Sequence, residues 1–175
     1  MNNSYETTHK TMIKSTKALI KLLEKTENWR IKKNKPDSEI LNLKLAPDMM
    51  PFSRQVQVVS DNLKSYCFRL GGLENVVMYD NEETLLQLVS RVKRTLQFAE
   101  NVDFSKADIN EINLKKIKLP WLPGDVSIPA SNYVTEFAIP NFYFHLSMVY
   151  SNLRAFGMDI GKMDFLDGLT LIQDN

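Results

Sequence analysis

The sequence predicts a mainly α-helical protein, a four-helix bundle with a short β-hairpin inserted between the third and fourth helices. Three observations carry this prediction. Four long segments repeat apolar residues at spacings of three and four. Six Gly and seven Pro in 175 residues are too few for an all-β chain built on tight turns. One stretch, Pro120-Trp121-Leu122-Pro123-Gly124-Asp125, breaks the helical pattern with a strong turn signal. The length suits a single domain over residues 1–175.

The first helix is expected from about Tyr5 to Glu27, with Met12, Leu19, Leu23 and Thr26 on one face. Lys10, Lys14, Lys17, Lys21 and Lys25 share another face, and the basic run Arg30 to Lys35 reads as a loop. Pro36-Asp37-Ser38 then starts a short helix through Leu43, an Asp or Ser oxygen capping its first N–H groups. The second long helix follows Asp48. Pro51 fits its first turn, because a proline there forfeits no hydrogen bond. Phe52, Val56, Val59, Leu63, Tyr66 and Leu70 form its seam, and Gly71-Gly72 ends it. The third is expected to begin at Asp80, with Glu83 completing a capping box, and to end near Asn101; Leu85, Leu88, Val92, Leu96 and Ala99 face inward. Residues 107–130 read as the two-stranded hairpin, which must lie on the helices because an isolated hairpin is marginal. The fourth helix runs from about Ser131 to Phe156. Pro140 kinks it and frees a carbonyl near Glu136. Residues 158–175 form a tail.

Composition excludes several functions. A net charge of +1 does not suit a polybasic nucleic-acid binder, so no nucleic-acid partner is expected. One Cys allows neither an internal disulfide nor a cysteine-based zinc site. Residues 1–11 are polar, and the uncharged stretch from Phe137 to Leu153 is too short and too polar to span a bilayer. The expectation is therefore no membrane partner and a cytoplasmic location. The charge is uneven: residues 10–35 carry nine basic and two acidic side chains, a net +7 against −6 elsewhere. A solvated helix face is the simplest account, and an anionic partner the second.

His145 is the residue with most chemical potential. It shares a helix face with Asn141, Val149 and Asn152, and neither position four residues away supplies a second metal ligand. A hydrogen-bonded core histidine and a pocket-lining histidine are both open readings. Arg54, Gln57, Asp61 and Lys64 form a polar stripe on the second helix, read as a solvated face with one Asp61–Lys64 pair; an Asp61–His145 pair is the functional alternative. Cys67 reads as a buried, inert thiol, and His9 as too exposed to act as its base. No nucleophile elbow and no phosphate-cradling glycine loop occur.

Three stretches together carry a family resemblance. They are Leu45-Ala46-Pro47-Asp48-Met49 leading to Arg54-Gln55-Val56-Gln57 and Asp61; Pro140-Asn141-Phe142-Tyr143-Phe144-His145 leading to Tyr150 and Leu153-Arg154; and Gly161-Lys162 with Asp164-Phe165-Leu166. In this order and spacing they resemble the family of domain of unknown function nineteen-ninety-three, over about residues 5–166, with 167–175 beyond it. The resemblance implies a DinB-like (DinB/YfiT-like superfamily) four-helix bundle, often dimeric. Many members of that superfamily resemble metal-dependent hydrolases or thiol transferases with three His, one on helix 2 and a spaced pair on helix 4. Here helix 2 has no His and His145 stands alone on helix 4, so that chemistry does not carry over. Asp48, Gln57, Asp61, Asn141, His145 and Arg154 match the family pattern without an assigned role.

The expected function is binding of a small molecule or a protein partner, without a metal centre or other cofactor, in a pocket near the Pro140 kink. Its candidate residues are His145, Asn141, Asp61, Gln57, Tyr143 and Arg154, and no catalytic residue is assigned. Two alternatives remain: a divergent metal-dependent hydrolase or thiol transferase using His145 with carboxylates, and a structural homodimer paired through exposed seam positions.

Overall fold

The computed structural model describes residues 3–171 and 173. Four long helices build the bundle: α1 (Ser4–Lys32), α3 (Phe52–Gly71), α4 (Leu85–Glu100) and α7 (Ile139–Ala155). Helix α3 is central and packs on both α4 and α7, while α1 packs on α4. All six predicted seam residues of α3 are buried. Each fully buried apolar side chain of this size contributes about 1.5–3 kcal/mol, so this seam organises the core.

Local chemistry sets the ends. Asn3 caps α1 by accepting from the Tyr5 and Glu6 N–H groups at 3.0 and 3.2 Å. The helix continues through the basic run expected to be a loop. Arg30 pairs with Glu27 at 2.6 Å and with Asp37 at 3.0 Å, and Asn34, with φ of 52°, supplies the left-handed stop. Asp37 opens the short α2 (Asp37–Leu41). Gly72, at φ of 74°, ends α3 as expected.

Helix α4 starts at Leu85, not at Asp80. Thr84 is its cap: its hydroxyl accepts from the Gln87 N–H, and the Gln87 side chain accepts from the Thr84 N–H. Asp80 is committed elsewhere, to Arg54 and Arg91. Residues 73–84 therefore form an irregular strap across α3 and α4.

The hairpin is shorter than expected. Lys116–Ile117 (β1) pairs antiparallel with Ile128–Pro129 (β2), in the register Lys116 opposite Pro129 and Ile117 opposite Ile128. Ile112 and Leu114 belong to a separate turn of helix, α5 (Ile109–Leu114), which Asp108 caps. The hairpin is fastened to the end of α3. Arg69 Nη1 donates to the Lys118 carbonyl at 2.6 Å, and Lys115 Nζ to the Leu70 carbonyl at 3.1 Å.

The last helix begins as α6 (Ala130–Asn132) and widens into a π-helical turn over Tyr133–Ala138 before α7. Pro140 explains the widening. It has no N–H to give, and its ring would crowd the carbonyl four residues back; a wider turn moves that carbonyl aside. The chain then forms α8 (Lys162–Leu166), which packs on α1. Lys21 pairs with Asp167 at 2.7 Å, Lys25 with Asp164 at 2.8 Å, and Lys14 Nζ donates to the Gly168 carbonyl. Part of the lysine stripe thus meets the protein's own acidic C-terminal segment. Among the described residues, no helix is long and apolar enough to cross a membrane.

Candidate functional site

The polar stripe of α3 is largely covered rather than solvated. Gln57 and Lys64 are buried beneath the strap. At the centre lies Arg91 of α4, at 0% exposure among Leu88, Val92 and Thr95. Its guanidinium reaches Asp61 at 2.9 Å, Asp80 at 2.9 Å and Glu82 at 3.0 Å, and donates to the Tyr79 carbonyl at 3.0 Å. Burial alone would lower the Arg91 pKa, but the Glu82 bond and the charges of Asp61, Glu82 and Asp80 outweigh it and raise the value. One cation thereby pins three carboxylates and the strap to the bundle. Gln57 completes the group by donating to Glu82 at 2.8 Å.

Next to this network, between α3, the π-helical turn and the hairpin loop, is a cavity of about 180 Å³. Arg54, Asp61, Asn62, Ser65, Arg69 and Asn141 form its polar side, and Val58, Leu119, Trp121, Tyr133 and Phe137 its apolar side. The rings pack on one another: Trp121 lies 5.1 Å from Phe137, and Phe137 lies 6.0 Å from Tyr133, the second pair nearly parallel at 29°. Trp121 is 60% exposed and stands at the rim. Beyond it a shallower groove, of about 360 Å³, runs between Phe68 and the strap residues Asn75–Met78.

Two lining groups are incompletely satisfied. Arg69 Nε and the Tyr133 hydroxyl are both closed to solvent; they lie against each other and make no well-formed hydrogen bond to any other group. Such groups are uncommon in native proteins and call for an explanation. Burial pushes the Tyr133 phenol up to about 12, against the opposing charge and hydrogen-bonding pull of Arg69, so the hydroxyl keeps its proton at neutral pH. The lining charges differ in their engagement. Asp61 is held by Arg91 and by Lys64 at 3.3 Å, and Arg54 by Asp80. Among the described residues, Arg69 has no carboxylate partner; its one bond is to the Lys118 carbonyl.

Of the six residues predicted for the pocket, Asp61 and Asn141 line this cavity, where Asn141 donates to Asn62 at 3.1 Å. Gln57 lies behind it in the Arg91 network. His145 faces the core and does not pair with Asp61: its Nδ1 donates to the Gln55 side-chain oxygen at 2.6 Å, and Arg91 takes Asp61. Burial, with the nearby Arg54 charge, lowers the His145 pKa. Tyr143 points to α1, its hydroxyl 3.2 Å from Ser15 Oγ, and Arg154 sits at the far end of α7, donating to the Met158 carbonyl. His9, expected to be exposed, is buried against Tyr66 and Phe104 and donates to the Ala99 carbonyl at 3.1 Å. The prediction missed Arg69, Asn62, Ser65, Tyr133 and Phe137. A signal existed: Val58, Asp61, Asn62, Ser65 and Arg69 share a face of α3, and Tyr133, Phe137 and Asn141 recur every four residues.

The donor set does not suit a metal ion. Among the described residues, no three His, Cys, Asp or Glu come together to hold one. The one carboxylate in the cavity lining is already neutralised by two cations, and two guanidinium groups share the space.

The four-helix bundle with its inserted hairpin has a DinB-like architecture. The chain belongs to the family described as Domain of unknown function (DUF1993), which matches residues 4–166. It is similar to the crystal structure of a DinB family member protein from Shewanella denitrificans, with a TM-score of 0.87 and 29% identity, over 98% of this chain and 95% of that one. No curated protein matches it.

Proposed function

We propose that this protein binds a small molecule, without a metal centre, in the cavity between α3 and the π-helical turn. The observation that carries the reading is the cavity of about 180 Å³ in which the Trp121 and Phe137 rings face Arg69, a guanidinium with no carboxylate partner among the described residues. Apolar surface beside a few converging polar groups fits a binding site.

The test uses Arg69→Gln. The change should weaken binding of small-molecule fragments detected by NMR at the Trp121 indole and the Asn141 amide. A fragment screen that moves neither group, or an Arg69→Gln variant that folds and binds the same fragments as well, would overturn the reading.

A further inference from the structure

We propose that the strap segment Leu73–Tyr79 takes an extended segment of a partner protein as an added β-strand, laid in the groove between the strap and Phe68 with an acidic side chain toward Arg69. Binding there is independent of the small-molecule reading above. The backbone comes first. From Gly72 to Tyr79 the chain runs without helix, turn or bend. Among the described residues, none of Leu73–Met78 makes a backbone–backbone hydrogen bond. A straight segment with a free row of N–H and carbonyl groups is a template for another strand. Its central residues, Val76-Val77-Met78-Tyr79, carry no charge and favour strands. The segment is also longer than the usual strand of about five or six residues.

The segment is held in place at both ends. Leu73 packs against the core, and the Met78 sulfur accepts from the Thr95 hydroxyl at 3.5 Å. Arg91 takes the Tyr79 carbonyl and Asp80. Between these anchors the apolar side chains are not covered: Val77 is 68% and Tyr79 76% exposed. A platform already ordered keeps the entropic cost of docking low. The groove beside it, of about 360 Å³, is bordered by Phe68, Pro120 and Trp121, which offer apolar walls to alternate side chains of an incoming strand.

Charge selects the occupant. Lys64 and Arg69 line the groove against one carboxylate, Asp61, and Lys64 already pairs with Asp61. Arg69 has no carboxylate partner among the described residues, so the groove carries one uncompensated positive charge. That favours an acidic side chain over a basic one. A second copy's strap is the poorer occupant. Antiparallel pairing centred on Val77 would set Glu74 against Asp80, and like charges directly opposite are destabilising.

The experiment titrates the full chain with a capped hexapeptide of alternating threonine and valine that carries glutamate at its third position, and with the same peptide carrying lysine there. NMR follows the backbone amides of residues 73–79. The glutamate peptide should shift these amides and bind several-fold tighter than the lysine peptide, and Arg69→Gln should narrow the difference. Successive N–H groups of a strand point to opposite edges, so Val76→Pro and Val77→Pro should differ. One should weaken binding by about ten-fold, and the other should change it little. Val76→Thr and Val77→Thr, which keep the N–H, should both bind as the parent does. Neither valine lines the cavity, so fragment binding at Asn141 should be unchanged in all four variants. If neither peptide moves the strap amides, or both prolines weaken binding equally, strand addition fails. If the lysine peptide binds as tightly, the acidic occupant fails. If the strap amides shift when the protein alone is concentrated, the occupant is a second copy and the partner segment is overturned. The comparison of the two peptides on the unaltered protein stands even if a proline variant does not fold.

Discussion

Replacing Arg91 with Met tests whether the buried cation organises the strap. Met keeps most of the apolar stem but removes the guanidinium. The three carboxylates would not be affected equally. Asp61 keeps Lys64, Asp80 keeps Arg54, and both are about a third exposed, so water screens them. Glu82, with a 5% exposed side chain, keeps only the Gln57 amide at 2.8 Å. Stranding one partner of a buried pair costs about 3–5 kcal/mol, and the remaining amide bond argues for the lower end. A loss of about 3 kcal/mol corresponds to a melting-temperature drop of roughly 6–12 °C for a chain of this size. Urea and thermal denaturation measure it. In the double variant R91M/E82Q the stranded charge is gone, so about 1–2 kcal/mol should return. Amide exchange in residues 79–84 should also accelerate in R91M, because the strap loses its central tie. An R91M protein within about 1 kcal/mol of the parent, or a double variant no better than the single, would refute the reasoning.

Burial lowers the pKa of His9, partly opposed by the Ala99 carbonyl and aided by Lys10, and lowers that of His145 as well. The unfolded chain therefore binds protons first as pH falls below the ordinary value of 6.5, so stability is full above that value and declines through the lowered native values. His9→Gln should flatten this acid limb in pH-dependent urea melts, and an unchanged slope would sink the assignment. Burial pushes the Cys67 thiol up to about 12, so iodoacetamide at about pH 8 should label the unfolded but not the folded protein; rapid native labelling would contradict that. A Cβ on Gly71 would meet Val102 Cγ1 at 2.6 Å. Gly71→Ala should therefore cost about 1–3 kcal/mol, and Gly71→Ala with Val102→Ala should recover part of it in the same melts.

The core of the bundle was readable because it depends on local spacing. The α3 seam and the Gly71-Gly72 stop need only the 3.6-residue period and the left-handed preference of glycine. Errors arose where one residue had competing uses. Asp80 stands at the spacing of a cap, but two arginines hold it, and the Thr84–Gln87 pair four residues later makes the actual box. Arg91 and His9 sit at apolar-face positions, between Leu88 and Thr95 and between Tyr5 and Met12. That placement is itself a signal of burial, yet their partners come from distant segments that periodicity cannot bring together. The site was half legible for the same reason. Asp61 and Asn141 were identified as polar residues on facing helices, but His145 drew the expected pocket toward the core, where Gln55 satisfies it. Arg69, Tyr133 and Phe137 become a group only once the hairpin is laid against α3.

The wide turn before Pro140 also acts as a phase adjuster. An α-helix advances about 100° per residue, and a π-helical turn absorbs one residue more than the α pitch allows. Within it, Tyr133 and Phe137 line the cavity beside α3; downstream, Phe142, Leu146, Val149 and Leu153 are buried in the bundle core. Deleting one residue from Tyr133–Ala138 would return the turn to ordinary pitch and swing Tyr133 away from the cavity, while the downstream face kept its alignment. Insertions and deletions within these six residues thus reset the cavity wall together with the buried Val134 and Ala138, while α7 keeps its own seam.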